Sequence, residues 1–183
     1  MGTEKGLISF GGKPLIIYPV EMLQELCAQV IISTNSHAYD FLGLPVIPDH
    51  APGGGPMTGI YSGLLASATE YNIVLSCDMP MINLGLLKHL IASADRCTAA
   101  VAWHKDFAEP LCGIYSRTLI AELENHIGEG KFKLITFLEE IDAQLIEIDD
   151  KLPFYHPNLF LNINTPHDVE FGEKLIENQD PLI

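Results

Sequence analysis

The chain has 183 residues, 48% of them hydrophobic, which is enough for one domain with a buried core. Its 10 lysines and arginines stand against 24 aspartates and glutamates, and the formal net charge of −14 argues against a nucleic-acid partner because phosphate backbones would be repelled. The sequence shows no signal-peptide pattern and no apolar run of membrane-spanning length, so we expect a cytoplasmic protein with no membrane partner. The four cysteines form no CxxC pair, which favours reduced thiols over a disulfide or a zinc site.

Helical and strand patterns alternate along the chain. From the amino end we predict a helix in KPLIIYPVEMLQEL, strands in AQVIIST and LPVIPD, a helix in GPMTGIYSGLLASATE, a strand in NIVLSCD and a helix in NLGLLKHLIASA. Strands in CTAAVAW and EPLCGIYS follow, then helices in SRTLIAELENHI and KFKLITFLEEI, strands in AQLIEID and LFLNIN, and a closing helix in TPHDVEFGEKLIEN. We expect Pro14 in the first turn of the first helix, Pro19 as a kink or restart within it, and Thr165 as the cap of the last helix.

This alternation predicts an α/β fold. We expect a three-layer, Rossmann-like architecture with a mostly parallel sheet and helices on both of its faces. No repeat or linker interrupts the pattern, so residues 1–183 are interpreted as one domain. In such folds ligands bind at the carboxyl edge of the sheet, which is where candidate site residues are to be sought.

The end of the predicted strand NIVLSCD carries a candidate metal ligand. Asp78 follows this apolar run, and Pro80 ends the strand pattern two residues later. A carboxylate held by rigid backbone at the edge of a central strand suits magnesium, which prefers hard oxygen donors. By position alone, an aspartate that caps the following turn fits equally well.

A glycine-rich segment, VIPDHAPGGGPMTGIYSGL, carries a second candidate carboxylate, Asp49. Glycines 53–55 precede a predicted helix, so backbone N–H groups are able to approach an anion or a polar base edge. The spacing matches neither the Walker loop nor GxGxxG. Taken alone, a flexible surface loop is the favoured interpretation of this segment.

Two asparagines and three lysines complete the candidates. Asn162 and Asn164 alternate along the predicted strand LFLNIN, so their amides are expected on one face, where they either orient a ligand or take part in the helix cap. Lys5 in the opening segment, and Lys131 and Lys133 in GEGKFK, are candidate partners of an anionic substrate. Ordinary surface charge is the default interpretation of each lysine.

Together these segments resemble the molybdenum cofactor guanylyltransferases, a family that transfers GMP from GTP to molybdopterin. MGTEKGLISFGGKPL resembles the second half of the family's opening loop, VIPD with GGGPMTGI its Asp and Gly-Pro-Leu-x-Gly element, and CDMP its metal-binding Cys-Asp-x-Pro. EPLCGIYS resembles its Pro-Leu-x-x-x-Tyr strand, and LNINTPHDV its Asn-x-Asn-Thr-Pro motif. The five motifs occur in the family's order over the whole chain.

The resemblance implies a role for each candidate. Lys5 and Asp78 would be catalytic, with Lys5 on the GTP phosphates and Asp78 holding Mg²⁺ as well as the nucleotide. Asp49 would hold the nucleoside, and Asn35 or Ser33 would touch the nucleotide. The side that receives molybdopterin would be formed by Pro110, Lys131, Lys133, Asn162 and Asn164.

The resemblance also implies the reaction and its partners. The molybdopterin phosphate would attack the α-phosphate of GTP and release pyrophosphate, with Mg²⁺ and a lysine offsetting the charge of the two anions. GTP and molybdopterin would be the small-molecule substrates of a monomer that makes transient contacts with other molybdenum cofactor proteins. Two alternatives stay open: a related nucleotidyltransferase that uses CTP or a sugar phosphate, and a non-catalytic nucleotide-binding domain.

The family's first strand and the Leu-Ala-Gly-Gly-x-Ser-x-Arg half of its loop have no counterpart in the sequence. A doubly wound sheet places its first strand near the centre, so we expect a gap between two neighbouring strands. We further expect an extension of about 15–20 residues ahead of Met1, enough for one strand and the rest of the loop. Without a segment in that gap the chain is expected to be marginally stable or inactive, since unpaired buried backbone groups are costly.

Overall fold

The computed structural model describes residues 4–50, 53, 55–95 and 97–178. The helices are α1 (Ile17–Leu26), α2 (Gly55–Ala66), α3 (Leu84–Ser93), α4 (Ile120–Gly128), α5 (Leu134–Glu140) and α6 (Pro166–Asn178). The strands are β1 (Ser9–Phe10), β2 (Lys13–Pro14), β3 (Ile32–Ser33), β4 (Val46–Ile47), β5 (Tyr71–Leu75), β6 (Ala99–His104), β7 (Phe107–Ser116) and β8 (Gln144–Glu147). Short 3-10 helices cover Lys5–Leu7, His37–Leu42 and Arg117–Leu119. The first three residues of the predicted opening loop, and Gly54 of the glycine segment, lie outside the described residues.

The described strands form three sheets, and together these contain both parallel and antiparallel pairs. β1 and β2 make a small antiparallel ribbon, and β3 and β4 pair in parallel. The largest sheet has the order β5-β7-β6-β8, in which β7 is antiparallel to both of its neighbours and β8 is parallel to β6. An α/β fold is therefore present, but the prediction of a mostly parallel sheet is wrong.

The hairpin between β6 and β7 is the main reason for this difference. Lys105 and Asp106, the two residues between the strands, have φ values of 47° and 67°. Positive φ at both central residues is the geometry of a tight hairpin turn that matches the twist of the flanking strands. The chain consequently returns as an antiparallel neighbour, where a crossover helix would have been needed for parallel pairing.

Helices cover both faces of the four-stranded sheet, as predicted. Alternate residues of β6 point to opposite faces: Ala100 and Ala102 belong to one apolar cluster, Ala99 and Val101 to the other. The first cluster includes residues of α1 and α3, and the second includes residues of α2, α4 and α5. The molecule thus has three layers, with the carboxyl ends of the strands free to carry polar residues.

Two prolines and one strand differ from the predictions. Pro14 lies in β2, paired with Ser9, whereas Pro19 is the third residue of α1 and takes the first-turn position that was expected of Pro14. The segment LFLNIN forms no strand. Its backbone is used in turns, since Leu159 N–H donates to the His156 carbonyl and Leu161 N–H to the Asn158 carbonyl.

The closing helix begins as predicted. The Thr165 hydroxyl accepts a hydrogen bond from the Asp168 N–H at 3.2 Å, and the Asp168 carboxylate accepts from the Thr165 N–H at 2.7 Å. This reciprocal pair satisfies backbone donors that the first turn of α6 leaves free. Within the described residues no helix combines the length and the apolar character needed to cross a membrane.

Candidate functional site

Asp78 lies at the carboxyl end of β5, in a cluster of polar contacts. The Lys5 ammonium donates to Asp78 Oδ2 and also to Asn164 Oδ1. The Ser76 hydroxyl donates to Asp78 Oδ1. The Asp78 side chain is 16% exposed and that of Lys5 37% exposed, so the pair stands at the mouth of the sheet edge and is accessible to a ligand.

Backbone contacts fix the position of this cluster. The Ile163 N–H donates to the Asp78 carbonyl at 2.8 Å, which ties the segment before α6 to the end of β5. Ile163 itself is fully buried against Phe10 and Leu15. Asp168 accepts from the Asn164 N–H at 2.9 Å. Three distant parts of the chain are thereby held together: the opening turn, the end of β5 and the start of α6.

A polar cleft of about 560 Å³ opens beyond the ends of β3 and β4. Asp49 and Asn35 face each other in it: Asn35 Nδ2 donates to Asp49 Oδ2 at 3.1 Å, and the Asp49 N–H donates to Asn35 Oδ1 at 3.0 Å. The Ser33 hydroxyl lies 3.4 Å from Asp49 Oδ1. The cleft is lined by Glu4, Ser33, Thr34, Asn35, Ser36, Asp49, Gly55, Pro56 and Gly59.

The opening turn connects the cleft with the Asp78 cluster. Glu4 lines the cleft and accepts a hydrogen bond from the Tyr39 hydroxyl at 3.3 Å, while the next residue, Lys5, contacts Asp78. The candidate nucleotide ligands Asn35 and Asp49 and the candidate catalytic pair Lys5 and Asp78 are therefore neighbours across a single turn of chain.

The residues expected on the second-substrate side are dispersed. Lys131 Nζ lies 2.7 Å from Glu129 Oε2, and both side chains are exposed. The Asn162 amide donates to the Phe160 carbonyl at 3.4 Å, whereas the Asn164 amide oxygen accepts from Lys5. The prediction that both amides lie on one face of a strand is wrong, because no strand forms there. Among the described residues, no hydrogen bond or ion pair joins Lys131 or Lys133 to the Asp78 cluster.

Pro110 lies close to the end of β5 because of an irregularity in β7. The register between β6 and β7 shifts between Val101 and Ala102, so Pro110, Leu111 and Cys112 have no partner in β6. The Leu111 carbonyl instead accepts from the Ser76 N–H at 2.9 Å, and the Pro110 carbonyl accepts from the Tyr115 hydroxyl at 2.6 Å. A bulge of this kind re-aims backbone next to a functional edge.

Sequence reasoning missed Glu109, Ser76 and Glu4. Burial and the nearby charge of Asp78 raise the pKa of the Glu109 carboxyl. The only sequence signal for Ser76 is its position two residues before the aspartate at the strand end. The only signal for Glu109 is its position next to Pro110. The contact between the end of β5 and this part of β7 depends on the bulge, and no local sequence pattern predicts that bulge.

Cys77 lies between Ser76 and Asp78, but its chemistry is inert near neutral pH. Burial, followed by the charge of Asp78, raises the pKa of its thiol to about 11. Because the thiolate is the nucleophilic form, a thiol with this pKa is a poor nucleophile at pH 7. The cluster therefore offers charge neutralisation and hydrogen bonding in place of a covalent intermediate.

Two oxygens of this cluster are candidate magnesium ligands. Asp78 Oδ2 and Asn164 Oδ1 both accept from the Lys5 ammonium, so two oxygens already converge on one cation. Groups of three or more histidine, cysteine, aspartate or glutamate side chains able to hold a metal are absent from the described residues. Magnesium typically needs one or two carboxylates when phosphates complete its shell.

The chain is similar in sequence to proteins of one family. Residues 1–144 match the MobA-like NTP transferase domain. The chain is 32% identical over 160 residues to a Flavobacterium johnsoniae protein named "Probable molybdenum cofactor guanylyltransferase", with 87% of this chain and 84% of the relative covered. It is 31% identical over 176 residues to the molybdenum cofactor guanylyltransferase of Yersinia pestis (strain Pestoides F), with 94% and 88% covered.

A solved structure has the same architecture along nearly the whole chain. Molybdopterin-guanine dinucleotide biosynthesis protein A from Archaeoglobus fulgidus superposes with a TM-score of 0.80 at 26% identity, over 97% of this chain and 93% of that one. The domain match, the identities near 30% and this superposition all point to one group of proteins. The chain belongs to the MobA-like NTP transferase domain family and is a nucleotidyltransferase-family enzyme.

Proposed function

We propose that the chain transfers GMP from GTP to the phosphate of molybdopterin and releases pyrophosphate. The observation that carries the proposal is the contact of Lys5 with both Asp78 and Asn164 at the carboxyl end of β5, one residue from the cleft that holds Asp49. Relatives at about 30% identity that are named molybdenum cofactor guanylyltransferases support the choice of substrates.

The cleft is the proposed nucleoside site. Its volume of about 560 Å³ lies within the range of roughly 300–1,000 Å³ that small-molecule sites span. An ionised carboxylate only accepts hydrogen bonds, so Asp49 suits the hydroxyls of a ribose or the N–H groups of a guanine edge. Asn35 positions Asp49 by two hydrogen bonds: its Nδ2 donates to the Asp49 carboxylate, and its Oδ1 accepts from the Asp49 N–H.

The Asp78 cluster is the proposed site of phosphate transfer. A chain with a net charge of −14 repels two anionic substrates, so local positive charge is the main requirement of the reaction. Lys5 supplies that charge and, in the proposed reaction, exchanges its contact with Asp78 for the triphosphate. A magnesium ion, when bound, supplies further charge neutralisation at the α-phosphate. Asp78 and Asn164 would hold it through their oxygens.

The second substrate is proposed to enter beside Pro110. Its phosphate oxygen forms the new bond to the α-phosphorus as the bond to the pyrophosphate oxygen breaks, so no protein nucleophile takes part. This side of the cleft is also proposed to include Asn162, Lys131 and Lys133. The two lysines are exposed, and they would contact the molybdopterin phosphate as it binds.

Binding and transfer experiments test the proposal. Melting of the chain is followed with GTP, CTP and UTP, each with magnesium. A ligand at about a hundred times its dissociation constant stabilises a protein by roughly 2.7 kcal/mol, which corresponds to a rise in melting temperature of about 5–10 °C for a chain of this length. We expect that rise with GTP. A rise with CTP alone would favour a cytidylyltransferase, and GTP binding without formation of the guanine dinucleotide would favour a non-catalytic domain.

A further inference from the structure

Tyr39 contacts the residues on both sides of Lys5. Its hydroxyl donates a hydrogen bond to Glu4 Oε2 at 3.3 Å. Its ring lies so close to Gly6 that a β-carbon at Gly6 would stand 2.8 Å from the Tyr39 hydroxyl oxygen and 3.0 Å from Cε1. Lys5 is therefore the middle residue of a turn, Glu4 to Gly6, whose two ends both rest on one side chain.

The close approach requires glycine at position 6. Gly6 is buried and Tyr39 is 6% exposed, so neither residue has open space into which it could move. A side chain at Gly6 would have to displace the Tyr39 ring or the turn itself, because real β-carbons essentially never approach another atom so closely. The absence of a side chain at Gly6 is what lets the turn lie directly on Tyr39.

The Tyr39 hydroxyl keeps its proton at neutral pH. Burial, followed by the nearby Cys77 and Glu4, raises the pKa of Tyr39 to about 12. A protonated phenol donates one hydrogen bond and a carboxylate accepts it. The contact between Tyr39 and Glu4 is therefore available at neutral pH.

Backbone hydrogen bonds hold the carboxyl side of the turn. The Gly6 carbonyl accepts from the Ile16 N–H at 2.9 Å, and the Ile8 carbonyl accepts from the Leu15 N–H at 3.0 Å. Leu15 is fully buried, so this side of the turn is attached to the core of the protein.

Side chains hold the amino side of the turn. Glu4 is held by Tyr39, and Lys5 is held by Asp78 and Asn164. In the proposed reaction Lys5 exchanges its contact with Asp78 for the triphosphate. The contact between Glu4 and Tyr39 then keeps this side of the turn in place.

Tyr39 also belongs to the segment that forms one wall of the cleft. It lies in the 3-10 helix His37–Leu42, which is capped by the Ser36 hydroxyl. Ser36 and Asn35, the residues just ahead of this helix, line the cleft. The position of a nucleotide in the cleft and the position of the Lys5 ammonium are therefore related through Tyr39.

We propose that Tyr39 is a positioning residue, which holds Glu4 and Gly6 so that the Lys5 ammonium meets the triphosphate of a nucleotide bound in the cleft. This inference rests on the proposed function, in which Lys5 binds the triphosphate. Displacement of such a group by about 1 Å is costly, so the placement of Lys5 affects both binding and transfer. The expected effect is on phosphate contacts and not on nucleoside contacts, because the Tyr39 side chain is buried and contacts the turn.

The test compares GTP with guanosine, which has the same nucleoside but no phosphate. In Tyr39→Phe we expect the dissociation constant of GTP, measured with magnesium at low salt, to rise about three- to tenfold, as one lost hydrogen bond allows. That of guanosine should change by less than about twofold. Gly6→Ala should act in the same direction, because its methyl group displaces Tyr39. The matched control is Tyr61→Phe, since Tyr61 is also 6% exposed and its hydroxyl faces a glutamate, Glu124.

Two further measurements separate positioning from a general loss of stability. In a Lys5→Ala background, Tyr39→Phe should cause no further loss of GTP affinity, because its effect acts through Lys5. Amide exchange is a measurement that needs no GTP. The N–H groups of Leu7 and Ile8 close the turn on the carbonyls of Glu4 and Lys5, and their exchange should become at least about threefold faster in Tyr39→Phe but not in Tyr61→Phe.

Three outcomes would overturn the proposal. Equal losses of GTP and guanosine affinity in Tyr39→Phe would make Tyr39 a structural residue of the cleft. Additive losses in the double variant would show that Tyr39 does not act through Lys5. Unchanged amide exchange in the turn would show that Tyr39 does not hold it. If the native chain binds no GTP, the proposed function fails, and the exchange rates alone decide whether Tyr39 holds the turn.

Discussion

The ammonium of Lys5 is hydrogen-bonded to the carboxylate of Asp78, 73 residues away in the sequence. The same ammonium contacts the amide oxygen of Asn164, 159 residues away. These contacts place the chain's opening turn directly at the carboxyl end of β5.

Replacement of Asp78 by asparagine should preserve the fold and lower transfer by about a hundredfold or more, because the proposed magnesium ligand loses its negative charge. The measurement is the magnesium-dependent rate of dinucleotide formation, with circular dichroism to verify folding. Asp150→Asn is the matched control, since Asp150 is an exposed aspartate away from the cluster. Magnesium-dependent turnover at the native rate in Asp78→Asn would remove Asp78 from the reaction.

Replacement of Lys5 by alanine should weaken GTP binding at least tenfold at low salt and change the melting temperature without ligand by no more than about 2–4 °C. The small stability effect is expected because partly exposed ion pairs contribute roughly 0–1 kcal/mol. Binding is measured by calorimetry at two salt concentrations, and the difference from the native chain should shrink as salt rises. Lys88→Ala, which removes an exposed ion pair with Glu25, is the control. Unaltered GTP affinity in Lys5→Ala would make Lys5 a surface residue.

Cys77 should react slowly with iodoacetamide at pH 7 and markedly faster above pH 10. Its thiol pKa is raised to about 11 by burial and by Asp78, so the thiolate fraction at neutral pH is very small. Mass spectrometry of peptides labelled over a pH series gives the rate for each cysteine. Cys77→Ala should keep most of the transfer activity, and a loss comparable to that of Asp78→Asn would point to a covalent role for the thiol.

The Asp168 carboxylate should stabilise the start of α6 in a pH-dependent way. Hydrogen bonds from the Asn164 N–H, and from the hydroxyl and N–H of Thr165, lower the pKa of Asp168. A lowered folded-state pKa means that the stabilisation is complete above the unfolded value of about 3.9 and is lost as the pH falls through the folded value. Asp168→Ala should therefore melt below the native chain at pH 7, and the gap should narrow as the pH falls below about 4. Glu170→Ala, a change at a neighbouring exposed residue, should show no such pH dependence. A difference in melting temperature between Asp168→Ala and the native chain that stays constant with pH would contradict the capping role.

The turn between β6 and β7 should be improved by residues that favour positive φ. Lys105→Asn combined with Asp106→Gly should raise the melting temperature by about 2–4 °C, because this pair is preferred in two-residue hairpins. The valine pair at the same positions should lower it, since β-branched residues are strained at φ values of 47° and 67°. If both double variants melt like the native chain, the turn contributes nothing to the antiparallel pairing.

Local patterns predicted the parts of the fold that depend on short stretches of sequence. The apolar run NIVL lies in β5. The polar residues that follow it therefore lie at the carboxyl edge of the sheet. Thr165 and Asp168 cap α6 for an equally local reason. The position of Asp78 just after the end of β5 was predictable in the same way.

The rest depended on long-range geometry. The antiparallel course of β7 follows from the positive φ values of Lys105 and Asp106. Neither residue type predicts such a turn, whereas a glycine would have done so. LFLNIN resembles a strand by composition, but its backbone groups find partners in local turns and in Asp78. Glu109 reaches the neighbourhood of Asp78 only through the bulge in β7, which depends on the pairing of three strands.

Transfer of GMP to molybdopterin is measured by following the α- and γ-phosphates of GTP separately. The chain is incubated with magnesium, molybdopterin and GTP labelled on either the α- or the γ-phosphate, with CTP as a parallel substrate. We expect the α-label to appear in a guanine dinucleotide and the γ-label in pyrophosphate, at rates that fall about a hundredfold or more in Asp78→Asn. Appearance of the γ-label on molybdopterin, transfer from CTP but not from GTP, or no transfer under conditions in which the chain binds GTP would contradict the proposed reaction.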